Sequence, residues 1–416
     1  MTETESMKRL AWRVTLTAAV LLLGTCQLRV ETQAAVPNAL RERAGEITMK
    51  RARRITNADR LAAAERARAA RERYAAQTSS AGSARPASRR LAAVPPQGGT
   101  PNYFGPESNW ANSPMPTVDP NTGAISGGIR KFVDSLPQLG RTGANNLQQY
   151  LPVAVKDTTT YPGSDYYEIA LVQYTEKMHS DLNPTTLRGY VQLETPANAG
   201  ASLHVPLSYP DGTPILDAGG NPVLGVDAPN YLGPIIVSTK DVPTRIKFTN
   251  YLPKGAGGDL FIPVDTTEMG AGMGPLGMMP TPGKPMNYTQ NRGTLHLHGG
   301  LTPWISDGTP HQWITPAGEL TDYPKGVSVQ NVPDMPDPGD GSMTFFYSNQ
   351  QSARLMFYHD HAYGITRLNV YVGEAAGYVL TDPTEQDLIA RGVLPDLGIP
   401  LIIQDKTFLD NSKVLT

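Results

Sequence analysis

Seven short runs of strand-forming residues, each ended by turn residues, constrain the fold more than any other feature. They are Tyr166–Tyr174, Ile235–Ser238, Thr244–Thr249, Thr344–Tyr347, Arg354–Tyr358, Leu368–Val372 and Gly377–Leu380. Short runs rich in β-branched and aromatic residues, separated by glycine and proline, predict a β-sandwich or barrel. The 40 glycines and 37 prolines among 416 residues exceed an ordinary combined usage of roughly 12%. That excess argues against a helical bundle. A hydrophobic share of 39% supplies a real core, and the length suggests two or three domains at about 150 residues each. Residues 206–230 and 263–290 are turn-rich and read as insertions in the sandwich.

The charge is distributed unevenly. Net charge is −2 overall, yet residues 1–95 carry 18 Lys/Arg against 8 Asp/Glu. Nothing global points to nucleic acid. Residues 14–24 (VTLTAAVLLLG) form an apolar run behind Lys8, Arg9 and Arg13. Such a run is too short for a bilayer core that needs roughly 20 residues, so no transmembrane span is expected. A basic flank and a short apolar run read as an export signal over residues 1–35, which implies a periplasmic or extracellular location. Residues 39–76 hold 12 Ala and 10 Arg, a helix-favouring composition without a continuous apolar stripe. Residues 36–101 thus read as a basic Ala/Arg-rich helical segment and linker. The only cysteine is Cys26, inside the signal region. A disulfide scaffold, a Cys-x-x-Cys redox pair and a cysteine-based zinc cluster are excluded.

Four of the seven histidines form two His-x-His pairs. Chance spacing would give about 0.1 such pairs. In Thr294–Gly300 (TLHLHGG) residues two apart on a strand share a face. His296 and His298 therefore point one way, while Leu295 and Leu297 point into a core. His359 and His361, in YHDHA, repeat the arrangement. If the two strands are neighbours, four imidazoles converge, and such a set suits zinc, copper, iron or nickel. Without a cation, crowded rings carry a desolvation cost. His179 and His204 read as ordinary surface or core residues, and His311 lies in a loop near the first pair. A cupin would need a nearby glutamate, but Glu319 is far away. A binuclear zinc hydrolase would need another sequence than Gly299-Gly300-Leu301 after His298, and an amidohydrolase would need helices that are missing.

These motifs resemble the first half of a multicopper oxidase, in the branch of bilirubin oxidase and spore-coat laccase. The likeness rests on LHLHGG at Leu295–Gly300 with Asp307-Gly308, on YHDHA at Tyr358–Ala362, and on TRLNVY at Thr366–Tyr371. KFVDSLP at Lys131–Pro137, Gly233–Ile236 and His179–Tyr190 add to it, and it covers about residues 129–410. It implies an all-β, cupredoxin-like Greek-key β-sandwich over residues 102–383. Residues 384–416 would be a linker and the start of a second, truncated cupredoxin-like domain. In the family eight histidines hold three coppers. By the resemblance His296 would bind the type 2 copper, and His298, His359 and His361 would bind type 3 coppers. Asp307 matches an acidic residue that relays protons to bound oxygen.

The departures matter equally. The C-terminal His-x-His and His-Cys-His motifs of the family are absent, so half the ligands and the whole type 1 site are missing. The reading is an N-terminal portion of an exported oxidase that couples one-electron oxidation of an unidentified substrate to reduction of oxygen to water. The chain alone is then expected to be inactive. Two alternatives stay open: a non-enzymatic exported copper binder, and a half-enzyme completed by a partner chain. Met269, Met273, Met278, Met279 and Met286 precede the first pair. Thioethers suit Cu(I), and a plain flexible loop is the competing reading.

Overall fold

The computed structural model describes residues 117–126, 129–130, 132–275, 281–395 and 398–408. The signal, the basic segment, Cys26, Lys131, Met278 and Met279 lie outside the described residues. Among the described residues no helix is long and apolar enough to cross a membrane.

Eight principal strands follow in chain order: β1 (Asp165–Glu176), β2 (Thr185–Gln192), β3 (Ile236–Thr239), β4 (Thr244–Asn250), β5 (His296–His298), β6 (Ser342–Tyr347), β7 (Arg354–His359) and β8 (Ala375–Thr381). They form two four-stranded sheets, ordered β6-β4-β1-β2 and β3-β8-β7-β5. Pairing is antiparallel except for β1 with β4 and β3 with β8. One buried cluster draws on both sheets. It includes Ile169 and Leu171 of β1, Ile246 and Phe248 of β4, Phe345 of β6, Tyr358 of β7 and Tyr378 of β8. Leu295 and Leu297 enter the same cluster, as alternation predicts. Inner faces that interdigitate this way make a sandwich, and six of the seven predicted runs are strands.

The seventh run is not. Leu368–Val372 alternates on paper, yet it belongs to a helix, α1 (Thr366–Val372). The buried residues there are Ile365, Asn369 and Val372, spaced four and three apart as one helical face requires. The polar Asn369 in the middle of that face hides the period. A second helix, α2 (Pro383–Ala390), falls in the stretch read as a linker. Asp382 caps it, accepting from Glu385 N at 2.7 Å, and proline fills the first turn as helix starts favour. Residues 398–408, within the stretch read as a linker and the start of a second domain, carry no strand. Thr407 N instead donates to the Tyr371 hydroxyl at 2.8 Å.

The two turn-rich stretches are packed against the sandwich. Leu207, Ile215 and Val223 are buried against Ala170 and Val172 of β1 and Leu187 and Val191 of β2, forming a second core on the outer face of that sheet. Two buried arginines hold the other stretch. Arg188 donates to the carbonyls of Gln290 and Gly258 at 2.8 Å each. Arg292 donates to Gly270 O at 2.7 Å, and its guanidinium lies 4.8 Å from the ring centres of Tyr288 and of Trp313. Backbone carbonyls thus replace the water these guanidinium groups lose on burial.

Candidate metal centre

The ladder between β5 and β7 decides the site. It is antiparallel, with His296 opposite His359, Leu297 opposite Tyr358 and His298 opposite Phe357. Directly opposed residues on one face come within about 5 Å at Cβ. His296 and His359 therefore meet across the strands, with ring centres 5.3 Å apart. The His298 ring stacks on Phe357 at 4.8 Å and lies 5.4 Å from His359. His361 follows just after β7, and its ring is 4.8 Å from His296 and 5.7 Å from His359. The structure thus gathers all four paired histidines.

Two backbone carbonyls fix the protons. His296 Nδ1 contacts Asp307 O, and His359 Nδ1 lies 2.5 Å from Asp360 O. A carbonyl only accepts, so both Nδ1 atoms carry hydrogen and both Nε2 atoms keep a lone pair. Nδ1 of His298 sits 3.2 Å from Nε2 of His359. One nitrogen from each of His296, His298 and His359 falls within a set whose members are all within 4.8 Å of one another. Burial pushes His359 down to about 4, and the neighbouring imidazoles add to the shift. His361 is also lowered, by burial first and then by His296, while Asp307 opposes the change. These rings stay neutral at physiological pH, as ligation requires. His361 Nδ1 is buried with no hydrogen-bond partner. An orphaned ring nitrogen among clustered imidazoles fits a cation, since burial of an unpaired polar atom is otherwise costly.

Asp307 plays two parts. Its carbonyl holds His296, and its carboxylate accepts from the Thr302 hydroxyl at 2.7 Å. The next residue, Gly308, has φ +67°, and a Cβ there would lie 2.0 Å from Leu295 O. Only glycine lets this turn press against the strand. The other histidines stay apart. His179 Nε2 contacts Arg130 O at 2.8 Å, His204 Nδ1 contacts Glu194 at 2.7 Å, and His311 is exposed against Tyr363. Met269, Met273 and Met286 are exposed.

One residue escaped the sequence reading. Asp360 stands between His359 and His361 and is fully buried. Its signal was available: alternation turns the residue between two outward histidines inward, and an inward carboxylate demands partners.

No family model matches the chain. Curated relatives do. The chain is 26% identical over 288 residues to a laccase of Bacillus subtilis strain 168, covering 69% of this chain and 40% of that protein. It is 29% identical over 285 residues to a laccase of Bacillus stratosphericus, covering 68% and 39%. A bilirubin oxidase of Albifimbria verrucaria is 32% identical over 131 residues, which is 32% of this chain and 19% of that protein. The chain thus spans about two fifths of the laccases it matches.

Proposed function

From the premise that the chain belongs with the multicopper oxidases, of which it spans part, we propose that it supplies half of a copper centre. His296 holds the type 2 copper, and His298, His359 and His361 hold type 3 coppers. The observation that supports this most is the convergence of four imidazoles, two of them with the Nε2 lone pair left free by a carbonyl on Nδ1. Copper, when bound, supplies one-electron redox chemistry that pools electrons for oxygen.

The chain's own residues orient the rings and hold protons. The carbonyls of Asp307 and Asp360 set the ring planes, as the supporting partners of ligating histidines do. The Asp307 carboxylate, on the His361 side, carries protons toward the centre. The complete activity is oxidation of a reducing substrate coupled to reduction of oxygen to water. It requires the remaining ligands and a type 1 site from chain beyond this sequence or from a partner. Export through the segment at residues 1–35 completes the proposal.

Titration of the purified chain with Cu(I) and Cu(II) tests the centre. One or two coppers per chain are expected, lost in the double variant His296→Ala/His359→Ala, with no oxygen uptake in the presence of phenolic reductants. Equal binding by the double variant defeats the site assignment. Sustained oxygen uptake by the chain alone defeats the half-centre reading.

A further inference from the structure

The structure assigns to Asp360 the role of positioning residue for both histidine pairs, an inference that rests on the copper reading above. Its carboxylate bonds three groups from three parts of the chain. Oδ1 accepts from Thr294 N at 3.0 Å, two residues before His296. Oδ2 accepts from Ala362 N at 2.9 Å, the residue after His361, and from Asn369 Nδ2 of α1 at 2.9 Å. Its carbonyl accepts from His359 Nδ1 at 2.5 Å, and its N–H donates to Glu374 O at 3.1 Å. One buried residue therefore touches the backbone beside His296, the ring of His359 and the backbone beside His361.

The need for such a tie follows from the strands. β5 is three residues long and sits at a sheet edge, so its ladder to β7 spans three residue pairs. A slip of one residue would turn both histidines of β5 to the opposite face. The bond from Thr294 N to Asp360 lies just beyond that ladder and fixes its register with respect to His359. Asn369 extends the tie, because its Nδ2 also donates to Arg292 O at 3.2 Å. The bonds thus close a ring through residues 292–294, 360 and 369. A carboxylate suits the role better than an amide. Three N–H donors converge on it, and an amide would offer one acceptor oxygen and turn its own donors toward theirs. The Arg292 guanidinium is the nearby opposite charge, held on carbonyls of Thr289, Tyr363 and Gly270.

Asp360→Asn is the deciding variant, with Tyr378→Phe as a comparison that loses buried hydrogen bonds to Thr244 and Asn349 without touching a histidine. Two readouts are taken. In the metal-free chain, nitrogen NMR reports the imidazole tautomers. Wild type and Tyr378→Phe are expected to hold His296 and His359 as single Nδ1–H forms, and Asp360→Asn as mixtures. In Cu(II) titrations followed by electron paramagnetic resonance, Asp360→Asn is expected to bind about 10–100-fold more weakly, with an altered hyperfine pattern. Tyr378→Phe is expected to bind as wild type does. Unchanged tautomers together with unchanged affinity in Asp360→Asn overturn the assignment. If that variant does not fold, Asn369→Ala removes one donor and decides, with a few-fold loss of affinity expected and no loss overturning the role. A wild-type chain that binds no copper sinks the metal reading, while the tautomers still judge Asp360 separately.

Discussion

The two histidine pairs sit on the same sheet but are held in different ways. The first lies on β5, a three-residue edge strand, with His298 exposed and His296 half-buried. The second grows out of β7, a six-residue strand between β5 and β8, and His359 is only 6% exposed. An inner strand has ladder bonds on both sides, whereas an edge strand has them on one. His359 therefore inherits its position from the sheet, and His361 follows just beyond the strand. The first pair borrows its position from a turn, Asp307-Gly308, whose carbonyl reaches back to His296. A site assembled this way has one half built by the fold and one half built by a local device.

The sharpest way to break that contrast is at the turn. Gly308→Val must place a Cβ where Leu295 O already lies, at a positive φ, and should cost about 2–4 kcal/mol. Urea unfolding and Cu(II) titration should both register it, with binding lost by about tenfold or more beyond the stability effect. A variant that binds normally would mean that β5 needs no turn.

A second comparison uses pH. His359 is held down to about 4 by burial, below its ordinary value near 6.5. Between those values the unfolded chain takes up a proton that the folded chain refuses. The His359 contribution to metal-free stability should therefore fall as pH drops from about 6.5 toward 4, by about 1–2 kcal/mol at pH 5, while Asp360, which burial raises to about 6, works in the opposite direction. Urea midpoints at pH 7 and 5 should show that wild type loses more stability on acidification than His359→Ala does. Equal losses would show that His359 is not the source of the pH response.

The smallest effect should come from Asp307→Asn, which keeps the carbonyl that holds His296. Copper affinity should stay within about twofold, while any oxidase activity of a completed enzyme falls. A large loss of affinity in the isolated chain would shift the holding role from the carbonyl to the carboxylate.

Much of this arrangement was legible in the residues. Alternation placed Leu295 and Leu297 in the core and the flanking histidines outside it. Strand-forming runs located β1, β3, β4, β6, β7 and β8. The register that sets His296 against His359 was not legible, because it depends on which strands become neighbours across a gap of more than sixty residues. β2 (Thr185–Gln192) contains Arg188 and Gly189 and reads poorly as a buried strand. The distant carbonyls of Gln290, Gly258 and Asp259, with the side chain of Gln173, make a buried arginine tolerable there. α1 was misread because Asn369, which should mark an outer face, is turned inward to Asp360. The start of α2 did carry its signal in Asp382-Pro383 and Glu385, a cap followed by proline and an acidic first turn.

The order β3-β8-β7-β5 also sets a timetable. During synthesis at about 5–20 residues per second, His296 emerges roughly 3–13 s before His359. Until then β5 has no neighbour in its sheet, and β3 waits longer still for β8, its only partner there. The ribosome thus releases the first histidine pair as an unpaired ribbon, and the ladder that gathers the imidazoles is the first of this sheet that can form, ahead of both ladders of β8.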